Sequence, residues 1–114
     1  MYAFDYHRPT SLADAKTLYA QLEDPMYVSG GMTLIPSMKQ RLAAPSDLID
    51  LSSLSELEGI EKLNDAQGSI LRVGGMTRHN EVTGNALIQR HLPVLGQVAA
   101  VIGDNQVRNR GTLG

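Results

Sequence analysis

An apolar triplet, Met26-Tyr27-Val28, runs straight into Ser29-Gly30-Gly31, and a helix-forming stretch opens at Thr33. A strand that turns through adjacent glycines into a helix is the connection of a βα unit. Glycine carries no Cβ, so such a turn reaches backbone angles closed to other residues and lets a ligand approach bare backbone. N–H groups at a helix start have no partner within the helix. A pyrophosphate suits that combination. Glycine-rich turns are common, and by itself the turn is more simply a plain tight connection whose glycines supply only unusual angles. The G-x-G-x-x-G fingerprint is absent, so nothing supports a Rossmann assignment.

The flanking segments repeat the βα pattern. Tyr2 to His7 reads as a strand, ended by Pro9. Ser11 is an N-cap with Asp14 three residues on, and Leu12, Ala15, Leu18, Tyr19 and Leu22 follow at helical spacing. Asp24-Pro25 breaks that helix. Thr33 caps a second one, from about Leu34 to Leu42, in which Pro36 is tolerated in the first turn. Pro45 precedes a third strand, Leu48-Ile49-Asp50-Leu51. Residues 1 to 51 thus spell β-α-β-α-β, the pattern of a small parallel sheet.

The second half differs. Ile60 to Leu63 and Ser69 to Val73 read as strands joined by a hairpin loop, Asn64 to Gly68. Gly74-Gly75 ends the second strand, and Thr77 caps a short helix over Arg78 to Thr83. Pro93 opens another helix, with Leu95, Val98, Ala99 and Ile102 on one face and Gly103 as its stop. Asp104 to Gly114 is polar, basic and glycine-containing, and reads as a functional loop. The expected division is 1–55 for a first lobe and 56–114 for the start of a second.

Composition narrows the function classes. The formal charge of −2 and the 42% hydrophobic content suit a packed domain and do not favour a nucleic-acid or membrane-surface binder. No apolar run reaches the roughly 20 residues of a membrane span. With no cysteine, this chain cannot hold a cysteine-ligated cluster. His7, His79 and His91 lack metal-motif spacing, so no metal site is expected. No nucleophile–base pair stands out, hence no catalytic residue. His79 is better read as a packing or capping residue than as a ligand. Lys16, Lys39 and Arg41 read as solvated charges. Arg108 and Arg110, beside two glycines, suit phosphate; taken alone, they are more readily read as partners of carboxylates of the same protein.

The motifs in series are more specific than any one of them. Arg8-Pro9-Thr10-Ser11-Leu12, then Gly30-Gly31-Met32-Thr33-Leu34-Ile35-Pro36-Ser37-Met38-Lys39, then Pro45 with Leu48-Ile49-Asp50-Leu51, then Ile102-Gly103-Asp104 and Gln106-Val107-Arg108-Asn109-Arg110-Gly111-Thr112 occur in that order. The series resembles the medium, FAD-binding subunit of the carbon monoxide dehydrogenase, xanthine dehydrogenase and aldehyde oxidase group. The resemblance implies an α+β FAD-binding fold of the vanillyl-alcohol oxidase and p-cresol methylhydroxylase type. In it, Tyr27, Val28, Ser29, Gly30, Gly31, Met32, Thr33 and Leu34 form the first pyrophosphate loop. Thr112, Leu113 and Gly114 begin the second, and Ile102 lies near the flavin.

The implied role is electron relay in a cytoplasmic, heteromeric oxidoreductase. FAD sits on this chain, iron–sulfur clusters on one partner subunit and the molybdenum cofactor on another. Two departures bear on it. Met32-Thr33 stands where the family has Thr-Asp or His-Ser, which alters a side-chain contact. The family also continues well beyond the position of Gly114. A chain ending there is expected to bind FAD weakly or not at all, to be inactive alone and to self-associate. The alternative is a non-catalytic assembly module of the same fold that holds no flavin.

Overall fold

The computed structural model describes residues 1–114. They divide into two compact units, Met1–Ser55 and Glu56–Gly114.

In the first unit, β1 (Asp5–His7), α1 (Leu12–Gln21), β2 (Pro25–Val28), α2 (Leu34–Lys39) and β3 (Asp47–Asp50) alternate. The strands form a parallel sheet in the order β1-β3-β2. β1 is shorter than expected because β3 begins at Asp47, opposite Asp5, so residues 2–4 have no strand to pair with. Pro25 belongs to β2, whose pairing also starts at Asp47. On this edge strand its missing N–H breaks no central ladder.

Alternation along β3 sends Leu48 and Ile49 to opposite faces. Leu48 joins Val28 and Met38 in a core that Phe4, Leu34, Ile35 and Ala43 surround. Ile49 is fully buried, as is Ala15 of α1. Ser11 caps α1, its hydroxyl accepting from the Asp14 N–H at 3.1 Å. β1 and β3 are also tied by side chains. Asp47, buried at 7% exposure, meets the His7 ring nitrogen at 2.7 Å and the Ser46 hydroxyl at 2.6 Å. The Ser46 hydroxyl and then His7 hold the Asp47 carboxyl below its ordinary pKa.

α2 is shorter than its apolar pattern suggests. Arg41 takes a left-handed backbone, φ 60°. The N–H groups of Arg41 and Leu42 turn back to the carbonyls of Met38 and Ser37 at 3.0 and 2.9 Å. That is a Schellman stop with arginine where glycine is usual. Arg41 is therefore no simple solvated charge: its guanidinium lies 5.2 Å from the centre of the Tyr2 ring.

The second unit opens with an antiparallel hairpin, β4 (Ile60–Asp65) and β5 (Gly68–Val73), paired from Ile60↔Val73 to Asp65↔Gly68. The loop is only Ala66-Gln67. Asp65 accepts from the Gln67 N–H, and the Asn64 side chain accepts from Ser69, so residues expected in the loop extend the ladder. Four helices follow: α3 (His79–Gly84), α4 (Ala86–His91), α5 (Pro93–Ala100) and α6 (Asn105–Arg110). Val82, Ile88 and Ala99 form their core, against which Ile60, Leu71, Val73 and Leu95 pack.

Two of these helices were not anticipated. Asn85 caps α4 by accepting from the N–H groups of Leu87 and Ile88. Asp104 caps α6 by accepting from the Val107 N–H at 2.8 Å. The segment from Asp104 onward is therefore mostly helix and not loop. Arg108 and Arg110 sit in its last turn, where cations favour the helix dipole. No helix of the chain is long and apolar enough to cross a membrane.

Candidate functional site

In the turn after β2, Gly31 takes φ +76°, a conformation that costs an L-residue about 1–2 kcal/mol. Its carbonyl accepts from the Ile35 N–H at 3.0 Å and begins α2. No backbone bond is donated by the N–H groups of Gly31, Met32 or Thr33. The Thr33 side chain makes no cap bond, and its carbonyl instead takes both the N–H and the hydroxyl of Ser37. The turn thus presents three successive donors without protein acceptors, the pattern an anion satisfies.

The other residues expected in this loop hold the turn. The Tyr27 ring stacks on Tyr19 with centroids 4.7 Å apart, and its hydroxyl donates to the Ala15 carbonyl. Val28 and Leu34 pack in the core. A Cβ on Gly31 would point inward, 3.1 Å from Ile35 Cγ1 and 3.6 Å from Val28 Cγ2. The glycine is needed for its backbone angle and its inward clearance. Met32 is exposed.

The C-terminal segment is held differently. Thr112 forms an antiparallel bridge with Arg78. Leu113 donates to the Thr77 carbonyl at 2.9 Å, Gly114 to Gly75 at 2.7 Å, and His79 to Gly111 at 3.0 Å. The N–H groups of Leu113 and Gly114 are thus engaged inside the protein. A Cβ on Gly114 would come within 2.9 Å of the Gly75 carbonyl oxygen, so the strand pairing requires glycine there. Ile102 is half-buried. Its carbonyl and that of Gly103 accept from Arg108 at 3.2 and 3.1 Å. Arg108 forms no ion pair with a carboxylate of the chain; one of its guanidinium nitrogens ties the end of α5 to α6.

Sequence reasoning missed the partner of this segment, residues 74–79. Thr77 does not cap α3. It is fully buried, and its hydroxyl accepts from the Gly59 N–H at 3.0 Å and donates to the Gly59 carbonyl at 3.2 Å. Gly74 lies so near Leu57 that a Cβ would sit 2.2 Å from the Leu57 oxygen. The adjacent glycines at 74–75 were the available signal, and they read only as a strand end. The His79 ring packs beside Gly111, its buried Nδ1 without a hydrogen-bond partner.

Residues 2–114 match the family described as the FAD binding domain in molybdopterin dehydrogenase. The chain is 42% identical over 112 residues to the carbon monoxide dehydrogenase medium chain of Hydrogenophaga pseudoflava, covering 97% of this chain and 38% of that one. To the corresponding chain of Afipia carboxidovorans it is 40% identical over 113 residues, with 98% and 38% covered. Among solved structures, quinoline 2-oxidoreductase from Pseudomonas putida 86 superposes with a TM-score of 0.90 at 36% identity, covering 99% of this chain and 38% of its own. The chain spans about 38% of the length of these relatives. The match over nearly every residue, with a mixed α/β fold to go with it, makes the chain a member of the FAD-binding-domain family of the molybdopterin dehydrogenases.

Proposed function

We propose that this chain supplies FAD-binding elements to a flavin subunit of a molybdenum-dependent oxidoreductase acting in the cytoplasm. In this reading its two units belong to two lobes of a flavin fold of the vanillyl-alcohol oxidase and p-cresol methylhydroxylase type. The observation that carries it is the set of three unpaired N–H groups at Gly31, Met32 and Thr33. The Ser29 to Thr33 backbone would hold the pyrophosphate there. Thr112 to Gly114 would contribute to a second loop, with the Leu113 and Gly114 N–H groups fixing its course while other groups of the loop meet the ligand. Ile102 would lie near the flavin.

The chemistry that a flavin supplies here is electron relay from iron–sulfur clusters to an acceptor. The clusters and the molybdenum cofactor would reside on partner subunits. This chain's own residues bind and orient, and none is assigned to bond-making.

Amide hydrogen exchange of the full-length protein with and without FAD tests the reading. The amides of Gly31, Met32 and Thr33 should slow markedly when FAD is added. Flavin binding with those three amides unaffected would remove the turn from the site. A full-length protein that takes up no FAD would favour the assembly-module alternative.

A further inference from the structure

The backbone of residues 74–79 is gripped from both sides. On one edge Gly74 donates to the Gly59 carbonyl at 2.9 Å, and Met76 donates to Leu57 at 2.8 Å. Thr77 completes that edge with two hydroxyl bonds to Gly59. On the other edge the carbonyls of Gly75 and Thr77 accept from the Gly114 and Leu113 N–H groups, and the His79 N–H donates to the Gly111 carbonyl. Thr77 alone serves both edges, its side chain facing the base of the hairpin and its carbonyl facing Leu113.

We propose that Thr77 is a positioning residue for the second cofactor loop, locking residues 74–79 as the template on which Thr112 to Gly114 are laid. This rests on the reading of those three residues as the start of that loop. A buried hydroxyl that both donates and accepts fixes its partner in direction as well as distance. Loss of the hydroxyl leaves the Gly59 N–H and carbonyl without their side-chain partner at the point where the template is clamped. The template then loosens, and the Leu113 and Gly114 bonds loosen with it. A Cβ on Gly75 would meet only the Gly114 Cα, at an ordinary van der Waals distance of 3.8 Å, so the hold on the segment comes from the hydrogen bonds and not from a tight fit at Gly75.

The test compares Thr77→Val, Thr77→Ser and Thr77→Ala in the full-length protein, reading FAD affinity by titration and amide exchange at Leu113 and Gly114. Thr77→Val should weaken FAD binding about ten-fold or more and speed exchange at both amides. Thr77→Ser, which keeps the hydroxyl, should restore both. FAD affinity within two-fold of the parent in Thr77→Val would overturn the proposal, as would failure of serine to rescue. If Thr77→Val does not fold, Thr77→Ala, which removes the hydroxyl without adding bulk, decides: weakened FAD binding with faster exchange at Leu113 and Gly114 in folded protein supports the template, and unchanged binding overturns it. Leu113→Pro removes the N–H that meets Thr77. If that variant loses FAD while Thr77→Val keeps it, only the positioning role fails. If both keep FAD, the assignment of residues 112–114 to a flavin loop fails as well.

Discussion

Changing Gly31 to alanine should destabilise the first unit through its backbone angle and not through any ligand. At φ +76° an alanine incurs about 1–2 kcal/mol of steric cost. Its Cβ would also sit 3.1 Å from Ile35 Cγ1. Swinging Ile35 aside by about 30° costs on the order of 0.5–1.5 kcal/mol. The total, roughly 1.5–3.5 kcal/mol, corresponds to a fall in melting temperature on the order of 6–28 °C for a small domain. The assay is thermal unfolding of FAD-free protein, since bound ligand would add its own stabilisation. Tyrosine fluorescence is the natural probe: Tyr2, Tyr6, Tyr19 and Tyr27 all lie in Met1–Ser55, and the chain has no tryptophan. A melting temperature within about 2 °C of the parent, far inside the shift worked above, would refute both the left-handed turn and the inward clearance.

Gly96 lies mid-helix in α5, where a Cβ would find only van der Waals contacts, the nearest 3.4 Å away at Ile88 Cγ2. Gly96→Ala should therefore raise stability by about 0.5–1 kcal/mol in chemical denaturation, and a loss would mean the helix interface is tighter than described. Asp47 has its pKa lowered by Ser46 and His7 from a model-peptide value of 3.8. Its contribution is thus complete above that pH and is lost as pH falls through the lower folded-state value. The melting-temperature gap between the parent and Asp47→Asn should accordingly be widest near neutrality and shrink below pH 3.8, and a gap that widens in acid would contradict the Asp47 network. The 114-residue chain alone should self-associate, since Val94, Val98 and Val101 form an exposed apolar stripe at helical spacing and Leu63 and Ile70 are also exposed on the hairpin. Such area tends to be covered by another chain, and a strictly monomeric species in light scattering at high concentration would count against it.

The β-α-β-α-β order, the Ser11 cap, the hairpin and the glycine turn were all legible in the sequence because each depends on neighbours a few residues apart. Periodicity, capping side chains and glycine pairs are local signals, and in Met1–Ser55 they agree with one another. The helices that went unread had local signals as well: Asn85 before Ala-Leu-Ile, and Asp104 three residues before Val107. In Asp104 to Gly114 the density of charge and glycine outweighed the cap. Other features had no local trace. Thr77 reads like a helix cap and is instead a buried clamp, because its partner is Gly59 on the far side of the hairpin. Arg108 reads like a partner for a carboxylate or a phosphate, and its guanidinium is instead bound to two carbonyls at the end of α5. That Leu113 and Gly114 have their N–H groups engaged follows only from pairing with Thr77 and Gly75, more than a whole helix layer away along the chain. Sequence could place the donors of the first turn because a helix start leaves them unpaired by its own geometry. Which donors of the last segment stay unpaired depends on what the tertiary fold lays beside it, and only the folded chain decides that.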